Sequence, residues 1–104
     1  MNLNEKTSVF RKKIDELNLP VGCRLSFNGE ETEKYKDNIQ KIKYHYGFYK
    51  HNGGDGLIDI SFMQNSIRIA YDVDGTNFKN EVFTDVDQIE KAVEFIMHQF
   101  INLQ

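Results

Sequence analysis

Apolar residues recur along this chain first at helical spacing, then in alternation, then at helical spacing again. Phe10, Ile14 and Leu17 repeat at i, i+4, i+7, the apolar stripe of an amphipathic helix. Asn4 is the expected cap, and Asn18-Leu19-Pro20 the expected stop, because proline disfavours a helical residue before it. Val21, Cys23, Leu25 and Phe27 then alternate with Gly22, Arg24 and Ser26, as in a half-buried strand, and Asn28-Gly29 reads as a turn. Between Glu30 and Lys43 two rhythms compete. Tyr35, Ile39, Ile42 and Tyr46 keep helical spacing, whereas Tyr44, Tyr46 and Phe48 alternate. A short charged helix or irregular segment is expected over about 31–41, running into a strand at about 43–50 whose buried face is undecided.

The middle of the chain alternates most clearly. Leu57 to Met63 and Ser66 to Val73 read as strands, and Asn77 to Thr84 is strand-like. A turn at Gln64-Asn65 sets Phe62 opposite Ile67, Ile60 opposite Ile69 and Ile58 opposite Tyr71. A type I′ turn at Asp74-Gly75 pairs Val73 with Thr76, Tyr71 with Phe78 and Ile67 with Val82, and sets Arg68 against Glu81. Both registers gather the apolar residues on one face, and a slip of one residue sends them to solvent. At the C-terminal end, Thr84 and Asp87 resemble a capping box, and Val86, Ile89, Val93, Ile96, Met97 and Phe100 form a second helical stripe. The expected fold is α+β. It is a two-layer sandwich in one domain, residues 1–104, with an antiparallel meander of four or five strands and both helices on one sheet face.

With 104 residues, 39% of them hydrophobic, the chain is long enough for one core, and no apolar run approaches the ~20 residues of a membrane span. The N-terminus has no apolar export segment, and the single cysteine, Cys23, has no partner for an internal disulfide, so a cytoplasmic location is expected. Charge divides the chain. Residues 1–50 carry 10 basic and 7 acidic side chains, residues 51–104 only 3 basic and 9 acidic. An acidic half attracts basic partners and repels nucleic acid.

Candidate chemistry is sparse. Asp72-Val73-Asp74-Gly75 with Glu81 has calcium-loop spacing, but the first ligand position falls on Ala70 and the flanks are strands, so a hairpin turn accounts for it better. Gly53-Gly54-Asp55-Gly56 precedes a strand, where a phosphate cradle needs a helix N-terminus. His45, His51, His98 and Cys23 match no zinc spacing, and neither metal nor cofactor is expected. Cys23 falls on the apolar parity of its strand, no serine lies in an elbow-like turn, and no enzyme motif appears. The run Lys43-Tyr44-His45-Tyr46-Gly47-Phe48-Tyr49-Lys50 interleaves rings with bases in the style of an RNA-binding sheet, though core and rim tyrosines explain it as well. If both helices cover the Ile58/Ile60/Ile67/Ile69 face, the other face holds Leu57, Asp59, Ser61, Met63, Arg68, Ala70, Asp72, Lys79 and Glu81. That mixture suits protein–protein contact.

A small acidic domain with a helix resembles a known class when it is followed by Gly56-Leu57-Ile58-Asp59-Ile60-Ser61, Ile67 to Gly75, and Glu81-Val82-Phe83-Thr84 leading into a closing helix. It is similar to immunity proteins of bacterial contact-dependent growth inhibition and related polymorphic toxin systems, the TriTu-type group being the nearest form. The resemblance implies a non-enzymatic cytoplasmic inhibitor that binds one cognate toxin domain, often a nuclease with a basic cleft. It carries over no catalytic residues. On this basis Asp55, Asp59, Asp72, Asp74 and Asp85 are the expected partner-binding charges, with Met63 and Tyr49 as anchors. The alternatives are a small RNA-binding module and an accessory or adaptor subunit of a larger assembly.

Overall fold

A computed structural model describes residues 1–51, 55–73 and 78–101. Helix α1 (Leu3–Asp15) is followed by β1 (Cys23–Tyr35), β2 (Asn38–Lys50), β3 (Gly56–Met63), β4 (Ser66–Val73) and β5 (Phe78–Phe83). Helix α2 (Gln88–Ile96) then runs into a π-helical turn, Met97–Ile101. The strands form one antiparallel sheet in sequence order. Both helices pack on the same face of it, giving the expected α+β sandwich.

The cap of helix α1 is Asn2, two residues before the expected Asn4. The Glu5 backbone N–H donates to Asn2 Oδ1 at 2.8 Å, and Asn2 Nδ2 donates to Glu5 Oε1 at 2.9 Å. This reciprocal cap needs an acid three residues on, which Asn2 has in Glu5 and Asn4 lacks in Thr7. The helix ends at Asp15, capped by Glu16, well before Pro20 acts on it. Gly22 then turns the chain at φ +88°.

The largest departure from expectation is the stretch 28–41, which is neither turn nor helix but a long hairpin. At Asn28 the ladder slips from Phe27↔Tyr46 to Gly29↔His45, so the expected Asn28-Gly29 turn is a bulge, with Gly29 at φ +154°. The strands continue to Tyr35↔Asn38 around a tight turn in which Lys36 has φ +56°. Lys41 pairs with Glu33 at 3.5 Å across the ribbon. The helical spacing of Tyr35, Ile39 and Ile42 is outweighed by backbone pairing with β1.

Strand β2 presents Ile42, Tyr44, Tyr46 and Phe48 to the helices, which settles the buried face of the aromatic run. An edge-to-face series links the layers: Phe27–Tyr44 at 5.1 Å, Tyr44–Phe62 at 5.2 Å and Phe62–Phe10 at 5.1 Å between ring centroids. Each such pair adds roughly 0.5–1.5 kcal/mol to the burial itself. Arg11 closes one end, its guanidinium 3.8 Å from the Phe27 ring centroid. Ile58, Ile60, Ile67, Ile69 and Ile96 are fully buried around this series.

The register between β3 and β4 is the expected one, with Phe62↔Ile67, Ile60↔Ile69 and Ile58↔Tyr71. Lys6 holds this hairpin to α1. Its ammonium is buried and donates to the Met63 carbonyl at 2.7 Å and the Ser66 carbonyl at 3.1 Å. The β4–β5 register is one residue off the expected one. Ile67 faces Phe83, Arg68 faces Val82 and Ile69 faces Glu81, so the expected Arg68–Glu81 pair is absent. The Asp74-Gly75 turn lies outside the described residues, as do Gly53 and Gly54. Phe83, half-buried, takes the core-facing position expected of Val82, meeting Phe95 of α2 at 5.7 Å, while Tyr71 meets Phe95 at 5.5 Å.

Helix α2 buries Ile89, Ala92, Val93 and Ile96. Val86 is fully exposed because it precedes the helix, and it leaves the expected stripe. Asp87 occupies the cap position without a side-chain cap bond, so the expected capping box does not form. Instead the Gln88 backbone N–H donates to the Asp85 carbonyl at 3.1 Å, and Lys91 reaches back to the carboxylates of Asp85 and Asp87.

Candidate functional site: the helix-free sheet face

Strand alternation dictates what the uncovered face carries, and the registers arrange it in rows. One row crosses Ser26, Gly47, Leu57 and Asp72, and the next crosses Gly29, His45, Asp59, Ala70 and Asn80. A third crosses Glu31, Lys43, Ser61, Arg68 and Val82. Apart from Glu31, which faces Lys43, carboxylates and cations are thereby separated along the strands. Asp59 and Asp72 lie around Leu57 at one end, and Lys43 and Arg68 flank Ser61 farther along.

Leu57 is 53% exposed, an open apolar side chain in the sheet itself. Across from it, Asp72 is half-buried, and its Oδ1 is buried with no hydrogen-bond partner among the described residues. Such an acceptor is costly to leave unpaired. Tyr49 borders the same end. Its ring lies against Gly47, where an added Cβ would come within 2.9 Å of the Tyr49 hydroxyl, and the Arg24 guanidinium stacks 4.9 Å from its centroid.

His45 joins three strands. Its Nδ1 is 2.7 Å from Asp59 Oδ1 on β3, and its Nε2 is 3.6 Å from Glu31 Oε2 on β1. Histidine and Asp59 are each about two-thirds buried, whereas Glu31 is open to solvent. Neither this row nor the Arg24–Tyr49 stack was foreseen, because both depend on cross-strand pairings made through an unanticipated hairpin and bulge.

Of the residues expected to bind a partner, Asp59, Met63, Asp72 and Tyr49 share this face. Asp55 is exposed immediately before β3, at the Leu57 end. Asp74 lies outside the described residues. Asp85 stands apart, on the helix side and paired with Lys91. Lys79 and Glu81 also leave the face. The one-residue shift puts them opposite Tyr71 and Ile69 on the covered side, and Asn80 and Val82 replace them.

The chain matches no family model, no curated protein and no solved structure. Among the described residues, no three His, Cys, Asp or Glu side chains are grouped to hold a metal ion. No helix among them is long and apolar enough to cross a membrane. Three of the rings in the 43–50 run, Tyr44, Tyr46 and Phe48, are buried beneath the helices, so Tyr49 is the ring of that run on the uncovered face.

Proposed function

We propose that the chain is a non-enzymatic immunity protein that neutralises a cognate toxin domain by covering it with the helix-free sheet face. The observation that carries this is Leu57, an exposed apolar side chain between the carboxylates of Asp59 and Asp72. An apolar anchor edged by acids fits a basic protein surface: the anchor supplies affinity, and the charges supply encounter rate and specificity. Asp55 extends the acidic end, Tyr49 and Met63 widen the contact, and Asp85 takes no part because Lys91 engages it on the other layer. The toxin domain is taken to be basic, as the substrate cleft of a nuclease is, and the complex to form in the cytoplasm.

An immunity role predicts a toxin reading frame directly upstream and a 1:1 complex between its toxic domain and this chain. Leu57→Glu is expected to abolish that complex and the protection it gives growing cells, with little loss of stability because the side chain is already exposed. Unaltered binding by L57E, or no complex with the upstream domain, overturns the proposal.

A further inference from the structure

The Glu31–His45–Asp59 cluster, in which Glu31 lies diagonally across from the His45–Asp59 pair, has a property that follows from the imidazole's two nitrogens. A neutral ring carries one N–H, and an imidazolium carries two. The 2.7 Å contact to Asp59 requires the proton on Nδ1, because a carboxylate only accepts. In the neutral ring Nε2 then presents a lone pair toward Glu31 Oε2, an unfavourable arrangement at 3.6 Å. In the imidazolium the same contact is an ion pair.

We infer that this cluster is a proton-operated switch on the uncovered face. With His45 protonated, the ring bridges both carboxylates and holds Glu31 against the sheet. With His45 neutral, Asp59 keeps its hydrogen bond, Glu31 is released, and the face carries one more negative charge. The proton exchanges with solvent. The groups facing the ring from each neighbouring strand are Glu31 on β1, Lys43 two residues before it on β2, and Asp59 on β3. On β4, Arg68 and Asp72 flank Ala70, the residue opposite Asp59. Lys43 and Arg68 are the cations among these groups, Glu31, Asp59 and Asp72 the carboxylates, and Glu31 is the exposed member free to move. The consequence for function rests on the basic partner proposed above: deprotonation strengthens its binding, and its arrival displaces the proton.

The free chain decides the switch, without any partner. Carbon- and nitrogen-detected NMR from pH 5 to 8, the range in which imidazoles change charge, follows the His45 ring nitrogens and the Glu31 side-chain carboxyl. The expected result is an Nδ1–H tautomer in the neutral form, with a Glu31 inflection that coincides with the His45 transition and is missing in H45Q. Glu31→Gln is the second variant: exposed and tolerant, it is expected to leave the Asp59 carboxyl response intact. An Nε2–H tautomer, or a Glu31 carboxyl indifferent to His45, overturns the switch. With the toxin domain, affinity is expected to rise roughly threefold from pH 5.5 to 7.5, one unit charge acting near the interface in high dielectric, and less in H45Q. Absence of any complex at every pH overturns the proposed function alone, since the free-chain spectra judge the switch independently.

Discussion

Arg68 stands directly opposite Val82 across β4 and β5. Because partners in a ladder share a face, this pairing puts Val82 on the uncovered side and its neighbour Phe83 against α2.

The register is tested by paired substitutions. Val82→Lys is expected to change stability by no more than about 0.5 kcal/mol, as exposed surface changes do. Phe83→Lys is expected to cost about 2 kcal/mol, because it removes a half-buried ring from its contact with Phe95. Urea denaturation of both variants reads the difference. A register one residue away reverses the order.

Tyr46 is buried, and its hydroxyl has no hydrogen-bond partner among the described residues. Tyr46→Phe is therefore expected to leave stability unchanged or raise it by up to about 1–2 kcal/mol, since it relieves an unpaired polar group. Burial pushes the phenol pKa well above its ordinary value of 10.0. Above that value the unfolded chain loses this proton while the folded chain keeps it, so the unfolded state binds fewer protons and stability falls as pH rises. Denaturation series from pH 9 to 11 are expected to show a shallower alkaline loss in Y46F than in the wild type.

Lys6 has the opposite sign. Desolvation lowers its pKa from the ordinary 10.5. Between the lowered folded value and 10.5 the unfolded chain holds the proton that the folded chain has released, so this group's contribution to stability rises with pH there. Lys6→Met is expected to remove that rise. It also removes the donor from the Met63 and Ser66 carbonyls, so amide exchange at Gln64 and Asn65 is expected to quicken. Unchanged exchange contradicts the role given to Lys6 in holding the hairpin.

Gly22 sits at φ +88°, and an added Cβ would lie 2.6 Å from the His51 Cβ. Both strain and collision oppose a side chain here, and Gly22→Ala is expected to cost about 1–3 kcal/mol. Gly29→Ala, where nothing lies within 4 Å, meets only the backbone strain of φ +154° and is expected to cost less. Thermal denaturation of the two variants compares them.

How much of this was legible varies with the physics at each place. The β3–β4 hairpin could be read because period-two alternation on both sides and a two-residue turn at Gln64-Asn65 allow one register. The β4–β5 register could not. Val82 and Phe83 are adjacent and both apolar, so either parity offers the core a side chain. The 28–41 hairpin was hidden because Tyr35, Ile39 and Ile42 fall at helical spacing, and because Lys36, without glycine's freedom, makes the left-handed turn. Asp59, Asp72 and Met63 could be placed on a common face from alternation alone, whereas Tyr49 could not, because the rings at 44, 46, 48 and 49 leave the parity of residues 43–50 open. The His45 row could not, since its pairings depend on the Asn28 bulge and on a β2–β3 connection with no diagnostic turn length.

The central claim is that the acidic end of the uncovered sheet face meets the partner. It is tested most directly by association rates with the upstream toxin domain, measured against salt for the wild type, D59N/D72N and E90Q/E94Q. Glu90 and Glu94 lie on α2, on the opposite layer. Loss of the two sheet carboxylates is predicted to slow association roughly tenfold at low salt and flatten its salt dependence, while the helix variant stays within about twofold of wild type. Equal rates for the two variants, or slowing by the helix pair alone, contradict the account.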